Sequence, residues 1–126
     1  MQPADLDVLI VDDHEAMRAL LARILARTGV VSVRTAETGA AALAALSERP
    51  ATLILADRNM PGMGGLAFVQ TVRAEAAYGA PRIIVISGNV GSEHAEAARS
   101  AGADAVLVKP VSARDLLAAI ETLFAV

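Results

Sequence analysis

Five polar residues each follow directly on a short apolar run. Asp12 and Asp13 come after Val8-Leu9-Ile10-Val11, and Asp57 comes after Leu53-Ile54-Leu55-Ala56. Ser87 closes Ile83-Ile84-Val85-Ile86, and Lys109 closes Val106-Leu107-Val108. Three carboxylates brought within a few ångströms repel one another and stay ionised more easily beside a divalent cation. A ligand set of oxygens suits a hard ion such as Mg2+, completed by water and a phosphate oxygen. A cation and a lysine facing one carboxylate are the parts that phosphoryl transfer needs. The carboxylate would attack phosphorus and become an aspartyl-phosphate. In that arrangement Ser87 donates a hydrogen bond to the phosphoryl group and Gly88 leaves room for it. His14, next to the acid pair, is read as a solvated loop histidine, because Mg2+ prefers oxygen. Met60 and Met63 are read as turn packing.

Each residue alone has a plainer explanation. Asp57 could simply start the turn Met60-Pro61-Gly62-Met63, and Asp12 and Asp13 could be acids favoured by a helix N-terminus. Ser87 could be a loop hydroxyl and Lys109 a solvated charge. Their joint placement at the ends of four separate apolar runs is what argues for a site.

The elements between them follow from periodicity. The first three apolar runs, 4 residues each, read as strands buried on both faces of a sheet, and Val106-Leu107-Val108 reads as the last strand. Val31 and Val33 alternate with Ser32 and Arg34, which predicts an edge strand. Five helices alternate with these strands. The first runs from about Glu15 to Thr28, with Met17, Leu20, Leu21, Ile24 and Leu25 inward and Gly29 as its stop. The second, Gly39 to Ser47, is capped by Thr38. The third carries Leu66, Val69 and Val72 with Phe68 beside them and is broken at Gly79-Ala80-Pro81. The fourth, Glu93 to about Ala101, is capped by Ser92 and has an inner face of little but alanine, so it is the most weakly held. The last follows a Ser112/Asp115 capping pair and buries Leu116, Leu117, Ile120, Leu123 and Phe124. Strictly alternating strands and helices with right-handed crossovers give an α/β fold, a five-stranded parallel sheet with helices on both faces. In the flavodoxin-like order 2-1-3-4-5 the first and third strands are neighbours, which brings Asp12, Asp13 and Asp57 together and sets Ser87 and Lys109 on the same rim.

Composition narrows the function classes. At 126 residues the chain is expected to be a single domain, residues 1–126, without an attached output domain. It has no cysteine, hence no thiolate chemistry. A net charge of −3 and no basic stripe argue against nucleic acid as a partner. No apolar stretch suffices to cross a membrane, so a cytoplasmic protein is expected. Lys109 is the single lysine among eleven basic side chains, and arginine does not substitute for it chemically.

With Val11-Asp12-Asp13, Asp57-Arg58-Asn59-Met60-Pro61-Gly62-Met63, Ile86-Ser87-Gly88 and Val108-Lys109-Pro110 in view, the chain resembles the response-regulator receiver domains of two-component signalling. The likeness runs from Asp7 to about Phe124. That family shares the strand order above, so the order is not independent support. The resemblance implies that Asp57 takes a phosphoryl group from a phosphohistidine on a sensor histidine kinase or histidine phosphotransfer protein. It implies Mg2+ on Asp12, Asp13 and Asp57 with the backbone carbonyl of Asn59, and a cis bond before Pro110. Asn59 and Asn89 occupy the positions that tune phosphoryl lifetime in the family. One departure is evident: receivers commonly carry Tyr or Phe where Val106 stands, and a valine has one stiff torsion and no ring to swing. Either the fourth helix and the loop before it then carry the change alone, or the output surface works differently. A docking face on the fourth helix, fifth strand and fifth helix is expected to bind a downstream protein, or the chain to pass phosphate along a relay, in a monomer or weak dimer that catalyses only its own phosphorylation and dephosphorylation. Two other readings compete. An aspartate phosphatase would need Asp-x-Asp on the first strand, where the acids are here adjacent, and a receiver-like scaffold would leave its phosphate site unused. A fragment of a longer regulator is a further possibility.

Overall fold

The computed structural model describes residues 2–88 and 91–124. Five strands, β1 (Asp7–Val11), β2 (Ser32–Ala36), β3 (Leu53–Asp57), β4 (Arg82–Ser87) and β5 (Ala105–Val108), pair in parallel in the order β2-β1-β3-β4-β5. They alternate with α1 (Glu15–Arg27), α2 (Gly39–Glu48), α3 (Gly65–Ala74), α4 (Ser92–Ala101) and α5 (Ala113–Phe124). No helix is long and apolar enough to cross a membrane among the described residues.

The apolar runs alternate their side chains between two layers, as the strand period of two requires. Leu9, Val11, Ile54, Ala56, Ile83 and Val85 pack against α2, α3 and α4. Val8, Ile10, Leu53, Leu55, Ile84 and Ile86 pack against α1 and α5. Both layers are apolar, which is why β1, β3 and β4 read as continuous hydrophobic runs. The expected weakness of α4 is visible in its buried residues, Ala98 and Ala101.

Several local expectations give way to tertiary context. Val31 precedes β2 and is 78% exposed; only Val33 of that pair reaches the core. Leu20 is 40% exposed, because α1 needs only Leu21, Ile24 and Leu25 to cover its strip of sheet. Leu66 is only partly buried, whereas Phe68 is fully so. α3 stops at Ala74 and a separate 3-10 turn, Ala76–Tyr78, precedes Gly79. Gly91 rather than Ser92 caps α4, and Ser92 is its first helical residue. Leu117 is half-buried and joins neither core layer. Thr38 does cap α2, accepting from Ala41 N at 3.0 Å. Ser112 Oγ accepts from Asp115 N at 3.0 Å.

Candidate functional site

Register sets the site. Val11 lies opposite Ala36 and Ala56, Asp57 opposite Ile86, and Ser87 opposite Val108, so these strands end at one edge. Backbone bonds extend the ladders past the strand ends. Asp12 N donates to Ala36 O at 3.1 Å, Arg58 N to Ile86 O at 2.9 Å, and Lys109 N to Ser87 O at 2.8 Å. The side chains that leave these positions are therefore held by the sheet and not by loop conformation.

Among the described residues, Asp12, Asp57 and Ser87 are the buried polar side chains, and the two carboxylates are each 1% exposed. Lys109 Nζ stands 3.1 Å from Asp57 Oδ1, an oxygen that also receives the Asn59 N–H at 3.3 Å. His14 N–H donates to Asp12 Oδ1 at 2.9 Å. The second oxygens, Asp12 Oδ2 and Asp57 Oδ2, are buried without a hydrogen-bond partner, as is Asp13 Oδ1. Buried acceptors are rarely left so. Carboxylates with ligand atoms within 4.8 Å of one another and oxygens that accept from nothing suit a hard cation, and Mg2+ fits this donor set. Burial raises the Asp12 carboxyl above its ordinary value of 3.8, with the Asp57 charge adding to the rise; the His14 N–H and Lys109 oppose it.

The structure brings Asp12, Asp13, Asp57 and Lys109 into contact range on one rim. Ser87 ends β4 on the same edge. Gly88 is exposed, and a methyl group there would meet no atom within 4 Å. Asn59 is exposed beside Asp57. The Lys109–Pro110 bond is cis. Val106 packs, half-buried, against the layer that holds α4. Asn89 lies outside the described residues.

Four supporting residues escape a reading of strand ends. His14, read above as solvated, is 67% exposed, yet its Nδ1 lies 3.2 Å from Asp13 Oδ1 and 3.4 Å from Asp12 Oδ1. Arg18 reaches back one turn of α1 to donate to the carbonyl of Asp12 at 2.8 Å. Arg58 crosses to the His94 carbonyl at 2.9 Å and ties the β3 end to the first turn of α4. Gly65 N donates to Arg58 O at 2.9 Å, so close that a side chain would overlap the Asp57 and Arg58 backbone. Only the glycine in Gly64-Gly65 left a trace in the sequence; the three long side chains could have reached elsewhere.

The response regulator receiver domain family matches residues 8–121 of this chain. The chain belongs to that family. It is 33% identical over 117 residues to the "Probable chemotaxis protein CheY" of Rhizobium etli, covering 93% of this chain and 91% of that protein. It is 39% identical over 114 residues to the sensory/regulatory protein RpfC of Xanthomonas campestris pv. campestris, where the match covers 87% of this chain but 15% of the relative. Among solved structures, the chemotaxis response regulator CheY4 of Vibrio cholerae superposes with a TM-score of 0.87 at 31% identity, covering 94% of this chain and 98% of that one. The Francisella response regulator 1452 receiver domain reaches 0.87 at 21% identity, covering 96% and 98%, and supports the fold alone. A phosphorylation switch is the general function of receiver domains, which are signalling modules and not general enzymes.

Proposed function

We propose that Asp57 of this receiver is the phosphoacceptor and that its phosphorylation depends on Mg2+. The observation that carries the reading is the division of labour at Asp57. Oδ1 is held by Lys109 Nζ at 3.1 Å and by the Asn59 N–H, while Oδ2 is buried and unpartnered. One oxygen is thereby oriented and the other is left to react. Asp12, Asp13, Asp57 and the Asn59 carbonyl would hold the ion. The chemistry a bound Mg2+ supplies is neutralisation of charge on the phosphoryl oxygens.

In the step itself, an Asp57 oxygen forms the new O–P bond as the P–N bond to the donor imidazole breaks, and the imidazole leaves with the electron pair and takes up a proton. Lys109, 31% exposed and anchored by its backbone to Ser87 O, is placed to follow the phosphoryl oxygens as they gain charge. Ser87 supplies a hydroxyl at the end of β4, and the open space at Gly88 admits the group. The donor is a phosphohistidine on a sensor kinase or phosphotransfer protein, and reaction in the cytoplasm follows from that donor class. The output surface is the α4–β5–α5 face, where an open groove between β5 and α5 is lined by Ala105, Leu107, Ala119 and Leu123 with Arg99 and Asp115 at its margin. Val106 has no ring to relay the change. The Arg58 contact to α4 therefore gives the phosphorylated loop its direct path to that face.

The test is intact-mass measurement after incubation with an acyl phosphate and Mg2+. Wild type gains one acid-stable, base-labile phosphoryl adduct and Asp57→Ala gains none. An equal adduct on the variant, or none on wild type, refutes the assignment.

A further inference from the structure

We propose that Arg18 is a positioning residue for the Mg2+ step: by fixing the Asp12 carbonyl it sets the aim of Asp13, and with it the affinity for the ion, while leaving transfer of the phosphoryl group untouched. The inference rests on the reading of Asp12, Asp13 and Asp57 as the cation site and adds a residue that acts through the backbone.

Asp12, Asp13 and His14 connect β1 to α1. Asp12 is fixed twice. Its N–H donates to Ala36 O at 3.1 Å, and its Oδ1 accepts from the His14 N–H at 2.9 Å. Asp13 belongs to neither flanking element, and its Oδ1 accepts no hydrogen bond. The His14 ring 3.2 Å from it is 67% exposed, so that pair is a weak anchor. The Asp13 Cα, however, lies in the plane of the peptide group whose oxygen is the Asp12 carbonyl. Arg18 Nη1 donates to that oxygen at 2.8 Å. Holding the carbonyl therefore holds the plane from which the Asp13 side chain starts.

Helix stability does not explain where this arginine goes. Arg18 is in the first turns of α1, and helical side chains lean toward the N-terminus. The guanidinium is thus carried to the positive end of the helix dipole, where a cation is disfavoured. It is 14% exposed there, and its ion-pair partner Glu37, at 3.7 Å, is 76% exposed and contributes little. The well-made contact is the one to the Asp12 carbonyl.

Two effects on Mg2+ then oppose each other. A positive charge beside a cation site weakens binding, so by charge alone Arg18→Met should tighten it. Loss of the fixed carbonyl frees Asp13 and should weaken it, and groups that orient metal ligands typically contribute about 10–100-fold in affinity. The direction of the change separates the two.

The experiment is calorimetric titration of the full chain with Mg2+, in wild type, Arg18→Met, Arg18→Lys and Glu37→Gln, followed by phosphorylation with an acyl phosphate across a range of Mg2+ concentrations. Circular dichroism checks the fold. In Arg18→Met the Mg2+ dissociation constant and the Mg2+ concentration for half-maximal phosphorylation should both rise about tenfold, while the rate at saturating Mg2+ stays within about twofold of wild type. Glu37→Gln should match wild type. Arg18→Lys keeps the charge but gives up the planar fork, so its dissociation constant should rise roughly threefold or more; it carries the test alone if the methionine variant does not fold. A dissociation constant that falls or stays within about twofold of wild type in the folded variants overturns the role of Arg18. So does a saturated rate that collapses while the affinity holds, since that marks general damage at Asp57. Either result leaves the Mg2+ reading standing if wild type binds the ion saturably, and absence of saturable binding by wild type overturns both.

Discussion

Adding one methyl group at Gly65 would strike the backbone that carries Asp57. A Cβ built there lies 2.3 Å from Asp57 O and 2.6 Å from Arg58 Cα, where about 3.0 Å is the least distance that real side chains tolerate. The chain must therefore move by 3.0 − 2.3, or about 0.7 Å, and no flexible side chain is present to yield. The obstacle is itself held by Arg58 N to Ile86 O and Gly65 N to Arg58 O, both 2.9 Å. Overpacking of this kind costs about 1–3 kcal/mol, and rigid surroundings place it near the upper end. Alanine regains roughly 0.5–1 kcal/mol over glycine in a helix. The net loss is about 2 kcal/mol, or roughly 6–8 °C in Tm for a chain of this size. Urea and thermal unfolding followed by circular dichroism measure it. Two neighbours calibrate the cause. At Gly64 the nearest atom to an added Cβ is 3.8 Å away, so Gly64→Ala should cost under about 1 kcal/mol, chiefly as a change of N-cap. At Gly62 there is space but φ is +75°, so Gly62→Ala should cost about 1 kcal/mol of backbone strain. Phosphorylation of Gly65→Ala should also fall, since the acceptor's own peptide moves. Stability of Gly65→Ala equal to wild type, or a smaller loss than for Gly62→Ala, would refute the steric reasoning.

Two further outcomes follow from the pocket and its link to α4. Asp12 has its folded-state carboxyl above 3.8, so between that value and the folded one the native state binds more protons than the unfolded chain. Stability of the metal-free protein should thus rise as pH falls through that window and be lower at neutral pH, where the buried charge is uncompensated. Asp12→Asn keeps the acceptor for the His14 N–H, and in EDTA at pH 7 it should melt higher than wild type. It should also lose the Mg2+-dependent rise, about 2.7 kcal/mol at a hundredfold excess over Kd; a lower melting point in EDTA contradicts the charge account. Arg58→Ala removes the bond to His94 O, about 1–1.5 kcal/mol. Amides of α4 should then exchange roughly five- to tenfold faster by hydrogen-exchange mass spectrometry while β1 and β3 are unaffected, and an unchanged α4 would show that the arginine does not hold the helix.

The sequence by itself determined the alternation of elements and the strand ends. The apolar runs of β1, β3 and β4 are doubly buried, so nothing but a parallel sheet with helices on both faces covers them. Asp12, Asp57, Ser87 and Lys109 stand at the ends of β1, β3, β4 and β5, and strand register alone carries them to one rim. Surface exposure was less legible. Leu20 and Val31 have core-like chemistry, but how much of the sheet each element must cover is decided by its neighbours. Only the tertiary structure decided where the long, jointed side chains go. Arg18, Arg58 and His14 have several torsions or an exposed ring, and spacing along the chain does not choose among their rotamers. Their destinations, the Asp12 carbonyl, the first turn of α4 and the midst of the carboxylates, depend on contacts formed after the sheet has assembled.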